Sequence, residues 1–231
     1  MTIRAVVFDA TGTLIEPRES VGTVYARAAL AEGIRLPAWR LDDAFVRVLR
    51  ASPPLAAAAA SGVNAAERAA AETAWWIDRV RQVFQATDST VEFRAPKAFA
   101  LSLFETYRRP ESWRERPGAR ALLEALSRAG LRLGLASNFD HRLPEILEGL
   151  DLIGFFDAVE IPSRRGRAKP DRAVFEALGE ALSAGLDELA YVGDDTPEVL
   201  AAIAALGVRI FDVRALTDLG EVASALEESG A

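Results

Sequence analysis

The chain has 231 residues, half of them apolar, a formal charge of −7 and no cysteine. That length suffices for a full core carrying an insert, while the acidity excludes nucleic acid and anionic membrane as the main partner, since both need clustered Lys and Arg. Disulfide and thiolate-metal chemistry are excluded, no apolar run has membrane-spanning length, and the first strand starts too early for a signal peptide, so a cytoplasmic protein is expected.

Val6-Val7-Phe8 reads as a buried strand that runs into Asp9 and is then broken at Gly12, with Thr13 placed to hydrogen-bond back across the turn. Residues 17–112 read as almost wholly helical. Val21–Ala31, Leu41–Leu49, Ala65–Phe84 and Ala95–Arg108 carry apolar residues at spacings of three and four. Asn64 with Glu67 forms a capping box, Ser52-Pro53-Pro54 and Ser61-Gly62-Val63 punctuate the segment, and Ala56–Ala60 reads as a short helix because Ala is the best helix former. Trp75-Trp76 reads as core packing, with one ring able to face a cleft.

From about residue 113 strands and helices alternate. Pro117-Gly118-Ala119 opens a helix that stops at Gly130, and Leu131–Ala136 is a strand ending in Ser137-Asn138. A helix over Asp140–Leu150 and a strand over Phe156–Ile161 follow. Pro170 is placed in the first turn of a helix reaching Leu182, directly after Lys169. Leu189–Gly193 is a strand ending in Asp194-Asp195, followed by a helix from Pro197 to Leu206, a strand from Val208 to Val213 and an acidic closing helix. The expected fold is α/β: a doubly wound, Rossmann-like parallel sheet of five strands, built from residues 1–16 and 113–231, with an all-helical cap inserted over 17–112.

Open α/β sheets bind ligands beyond the carboxyl ends of their strands, and Asp9, Ser137-Asn138 and Asp194-Asp195 all follow strands. Asp9 there suits a nucleophile, whose covalent intermediate splits one hard displacement into two easier ones. Each pair among Asp9, Asp194 and Asp195 at 4 Å would repel by about 4 kcal/mol at an effective dielectric of 20. The cluster therefore calls for a divalent cation, and hard oxygen donors suit Mg2+. Asp194-Asp195 also reads as a helix cap, and Ser137-Asn138 either as donors for an anion at a helix start or as a turn. Lys169 offers positive charge to an anionic group and to Asp9. Arg164, Arg165 and Arg167 read as a solvated loop, and His141, the single histidine, as exposed helix surface.

The order Asp9, Ser137, Lys169, Asp194-Asp195 resembles the four motifs of the haloacid dehalogenase (HAD) superfamily of aspartyl-nucleophile hydrolases. The double Trp with Val80 and Phe84, together with Ser137-Asn138-Phe139-Asp140 and Arg142-Leu143, looks most like its haloacid dehalogenase-like hydrolase domain-containing protein 3 branch. The resemblance implies an aspartyl-phosphate on Asp9, phosphate contacts from Ser137, Asn138 and Lys169, and Mg2+ held by Asp9, the Thr11 carbonyl and Asp194, with Asp195 direct or through water. The implied substrate is a small phosphorylated metabolite; the oligomeric state is left open, monomer or weak dimer. Thr11 stands where most phosphatases of the superfamily carry a second Asp as acid and base, and Val199 where the fourth motif has a further acid, so slow turnover is expected. Two other readings remain: a weak or inactive binding protein, and a metal-independent 2-haloacid dehalogenase.

Overall fold

The computed structural model describes residues 2–60 and 62–230; Ser61, read above as part of a loop, lies outside them. Strand β1 (Ala5–Phe8) is buried along its whole length. Successive strand residues point to opposite faces: Val6 and Phe8 enter one core cluster, Ala5 and Val7 the other. A strand covered on both faces must be continuously apolar, and this one is. The later strands of the sheet are β4 (Arg132–Ala136), β5 (Ala158–Glu160), β6 (Leu189–Gly193) and β7 (Arg209–Asp212). All pairings are parallel, in the order β5-β4-β1-β6-β7.

Between β1 and β4 lie the short strands β2 (Ile15–Pro17) and β3 (Trp113–Glu115) and helices α1 (Val21–Ala31), α2 (Ala38–Ala51), α3 (Leu55–Ala59), α4 (Ala65–Thr87), α5 (Pro96–Thr106) and α6 (Ala119–Arg128). The remaining helices are α7 (Leu143–Gly149), α8 (Pro162–Arg165), α9 (Arg172–Leu182), α10 (Pro197–Ala204) and α11 (Gly220–Gly230). Leucines of α6 and α7 with Val222 and Leu226 of α11 cover one sheet face; α9 and α10 cover the other. Helices α1, α2, α4 and α5 share a third core, in which Tyr25 stacks on Phe84 at 5.5 Å between ring centres. Asn64 caps α4 through the Glu67 N–H at 3.0 Å, while the Glu67 carboxylate reaches back to the Asn64 side-chain amide at 2.9 Å and the Val63 N–H at 3.0 Å. Among the described residues no helix is long and apolar enough to cross a membrane.

Three local expectations are corrected. Strands β2 and β3 form an antiparallel pair that the sequence did not announce; three residues each are too few for a period-2 signal, and the pair is joined by Glu16 and Arg114, 2.7 Å apart. The helix expected from Asp140 starts at Leu143, because the Asp140 carboxylate accepts from the Arg142 N–H in a side-chain-closed turn. Pro170 precedes α9 rather than opening it: Asp171 is the cap, and its side chain accepts from the Ala173 N–H.

Candidate active site

The parallel register aligns Phe8 with Leu135 of β4 and Val192 of β6. The chain therefore leaves all three strands at one edge, with neighbours of β1 reached by crossovers to either side, the switch point where such sheets bind ligands. Asp9 follows β1, and its N–H still donates to the Val192 carbonyl at 2.9 Å. Its Oδ1 accepts from the Ala10 N–H at 2.7 Å and lies 3.0 Å from Lys169 Nζ.

Lys169 joins the group. Its side chain is 1% exposed, and Nζ sits between Asp9 Oδ1 and Asp195 Oδ2, 2.9 Å away, while also donating to the Tyr191 hydroxyl. Tyr191 in turn donates to Asp195 Oδ2. Burial, then the charges of Asp9 and Asp195, push the Tyr191 phenol up, so it stays a donor. Burial also pushes the Asp9 carboxyl above its usual range; Lys169 pulls it back and Asp195 adds to the rise. Nothing in the sequence reading singled out Tyr191, which looked like strand core. Gly193 was the available signal, since a Cβ there would sit 2.8 Å from the Tyr191 oxygen.

Asp194, beside this cluster, has a different partner. Its Oδ1 accepts from the Thr13 hydroxyl at 3.4 Å, while the Thr13 N–H bonds back over its own turn to the Ala10 carbonyl at 3.3 Å, as expected. Gly12, at φ +83°, lets the turn pass close: a Cβ would lie 2.1 Å from Asp194 Oδ2. Ser137 is buried and its oxygen accepts from the Phe139 N–H. Both it and Asn138 precede α7 by several residues, so neither stands at a helix start. The Asn138 amide clamps the Lys169 backbone, accepting from its N–H at 2.8 Å and donating to its carbonyl at 3.1 Å. Thr11 lies beside Asp9, and its buried Oγ1 has no hydrogen-bond partner among the described residues. Val199 packs at the edge of the α9–α10 core.

Asp9, Thr11, Ser137, Asn138, Lys169 and Asp195 line one cavity of about 450 Å3, the size of a small-molecule site. Its far wall comes from the helices of 17–112. Both Trp75 and Trp76 line it, beyond the single ring expected to face a cleft. His141 is not exposed helix surface: its N–H and Nδ1 both meet the Glu72 carboxylate at 2.9 Å, and Glu72 is fully buried in α4. Next to it Asp140 takes the Trp76 indole N–H and a bidentate pair from Arg142. Arg164, Arg165 and Arg167 are exposed as expected, but Arg164 and Arg165 end helix α8 instead of lying in a loop; Arg165 pairs with Glu160 and Arg167 with Asp171.

Among the described residues no three His, Cys, Asp or Glu side chains form a ready metal cluster. Asp195 is committed to Lys169 and Tyr191. Asp9, Asp194 and the Thr11 carbonyl remain, a set of hard oxygens fitting a cation that keeps several waters and binds protein through one or two carboxylates.

Fold and site together define a doubly wound α/β hydrolase-type domain with a carboxylate at the switch point, balanced by a buried lysine. The family model described as haloacid dehalogenase-like hydrolase matches residues 3–205, and the chain belongs to that family. It is 34% identical over 180 residues to haloacid dehalogenase-like hydrolase domain-containing protein 3 of Bos taurus, covering 77% of this chain and 69% of the relative, in line with the branch named above. Its fold is shared with the defluorinating L-2-haloacid dehalogenase Rha0230 (TM-score 0.73, 17% identity, 97% and 95% of the two chains). It is shared equally with a magnesium-bound HAD-hydrolase of Bacillus subtilis (TM-score 0.72, 16% identity, 98% and 100%).

Proposed function

We propose that this HAD-family hydrolase is a Mg2+-dependent phosphatase of small phosphate monoesters, with residues 1–16 and 113–231 as catalytic core and 17–112 as a cap over the site. The observation that carries this reading is the buried Lys169 Nζ bridging Asp9 and Asp195 at the floor of the cavity. Asp9 Oδ1 is held by Lys169 and the Ala10 N–H, which leaves Oδ2 to attack phosphorus. As the ester P–O bond breaks, Lys169 and the Ser137 hydroxyl face the equatorial oxygens and meet the growing charge with preset donors. Water then cleaves the aspartyl-phosphate, returning the Asp9 carboxylate and releasing inorganic phosphate.

Mg2+, held by Asp9, Asp194 and the Thr11 carbonyl, would neutralise phosphoryl charge and hold it in line. The other acidic residue, Asp195, keeps Lys169 in place with Tyr191. The acidic pair Asp194-Asp195 after β6 supports this over the dehalogenase reading, which needs no metal. A cytoplasmic compartment accords with the lack of cysteine. The test is phosphate release from a panel of monoesters with and without Mg2+. Metal-dependent release that is lost in Asp9→Asn is expected; halide release from 2-chloropropionate without metal, and no phosphate from any ester, would overturn the proposal.

A further inference from the structure

Beyond its catalytic floor the cavity is a box of rings: Phe45, Trp75, Trp76, Phe104, Tyr107 and Trp113 all line it. The three indole N–H groups are spent inside the protein, Trp75 on the Pro53 carbonyl, Trp76 on Asp140 and Trp113 on the Tyr107 carbonyl. The walls therefore present carbon. Apart from Asp9, Lys169 and Asp195, the charged lining residue is Arg142. Each of its three guanidinium nitrogens already donates, Nε and Nη2 to Asp140 and Nη1 to the Phe104 carbonyl, and it lies 3.7 Å from the centre of the Phe104 ring. A second anionic group on a substrate would meet no uncommitted cation, and a polyol would leave its hydroxyls without partners, at a cost in desolvation.

A second, independent observation concerns the leaving group. Thr11 stands beside Asp9, and a threonine hydroxyl does not exchange its proton usefully near neutral pH. The two other candidates for that task are engaged elsewhere: Asp195 accepts from Lys169 and Tyr191, and His141 is turned onto Glu72. An unassisted leaving group must be a stable anion. A phenol ionises near ~10, whereas an alcohol, like water, ionises far higher.

From the carbon-walled cavity and the missing acid together we infer that the substrate is the monophosphate of an uncharged, largely apolar aromatic alcohol, an aryl phosphate rather than a phosphorylated acid or sugar. This rests on the phosphatase reading above. In the transfer step the phenolate departs with the P–O electron pair, takes its proton from water, and leaves the phosphoryl group on Asp9. The ring sits among the aromatic walls.

The experiment measures phosphate release by the full chain with Mg2+ from phenyl, 2-naphthyl and 4-carboxyphenyl phosphate and from phosphoglycolate. Phenyl and 2-naphthyl esters have closely matched leaving groups and differ in apolar area, so 2-naphthyl phosphate should show kcat/KM at least tenfold higher. The 4-carboxyphenyl ester has the better leaving group but a second charge, and should fall at least tenfold below phenyl. Phosphoglycolate should be slowest. A carboxyphenyl ester equal to phenyl, or phosphoglycolate as the best substrate, overturns the inference while leaving the phosphatase intact. If no ester is hydrolysed, the phosphatase reading fails and binding decides. By tryptophan quenching, 2-naphthylmethylphosphonate should bind at least tenfold tighter than phosphonoacetate, and equal or reversed affinity rejects the apolar site.

Discussion

Replacing Arg142 by Met removes the counter-charge of a fully buried carboxylate. In the wild-type protein Asp140 accepts from Arg142 Nε at 2.8 Å, from Nη2 at 2.6 Å, from the Arg142 N–H at 3.0 Å and from Trp76 at 2.7 Å. Burial alone would raise its pKa, but the hydrogen bonds and charge of Arg142 outweigh burial and hold it below the ordinary value. The sign follows: a depressed carboxylate contributes stability above its unfolded pKa, near ~3.9, and that contribution is lost as pH falls through the folded value. In Arg142→Met two of the four bonds and the charge are gone, and Asp140 is left buried. Breaking one side of such a pair costs about 3–5 kcal/mol, or roughly 6 to 20 °C in Tm for a chain of this size. Desolvation is then opposed only by the remaining Arg142 N–H and Trp76 N–H bonds and by His141, and the Asp140 pKa rises, so protonation relieves the penalty and the loss should shrink between pH 7.5 and pH 5. Urea unfolding at both pH values measures this. Asp140→Asn/Arg142→Met should recover a large part of the loss at pH 7.5. A single-variant loss under about 1 kcal/mol, or one independent of pH, would refute the reasoning.

Thr11→Asp should raise kcat at least tenfold for esters of poorly leaving alcohols, because it restores an acid worth on the order of 10² to 10⁴ in rate; steady-state kinetics on an alkyl phosphate checks it, and an unchanged rate would point to another proton donor. Millimolar Mg2+ should raise Tm, by roughly 5–10 °C at about a hundred times Kd, and Asp194→Ala should abolish the shift; thermal melts with and without metal decide. Tyr191→Phe, which removes the hydroxyl shared by Lys169 and Asp195, should lower kcat by about tenfold or more, as expected for a hydrogen bond to a charged group, with KM little changed.

Asp9 was legible because an apolar strand, an Asp and a Gly turn occur within a few residues, where local signals suffice. Lys169 was legible as a cation in an unfavourable place ahead of a helix. The clamp made by Asn138 was not, since its amide holds a backbone 31 residues away. Tyr191 was hidden for a similar reason. In a fully buried strand an aromatic reads as packing, and only the space left by Gly193 frees its hydroxyl for Lys169 and Asp195. The β2–β3 pair joins residues nearly a hundred positions apart, beyond any periodicity. The aromatic cavity was half visible: Trp75-Trp76 stood out, but that both rings line it depends on how α4 packs against α2, α3 and α8.

The central claim is that Asp9 takes the phosphoryl group. Acid quenching within the first turnovers on 2-naphthyl phosphate and Mg2+, followed by mass spectrometry of proteolytic fragments, tests it directly. A phosphoryl adduct on the fragment carrying Asp9, formed faster than phosphate is released and missing in Asp9→Asn, is the expected result. Turnover with no adduct at any quench time, persisting in Asp9→Asn, would contradict it.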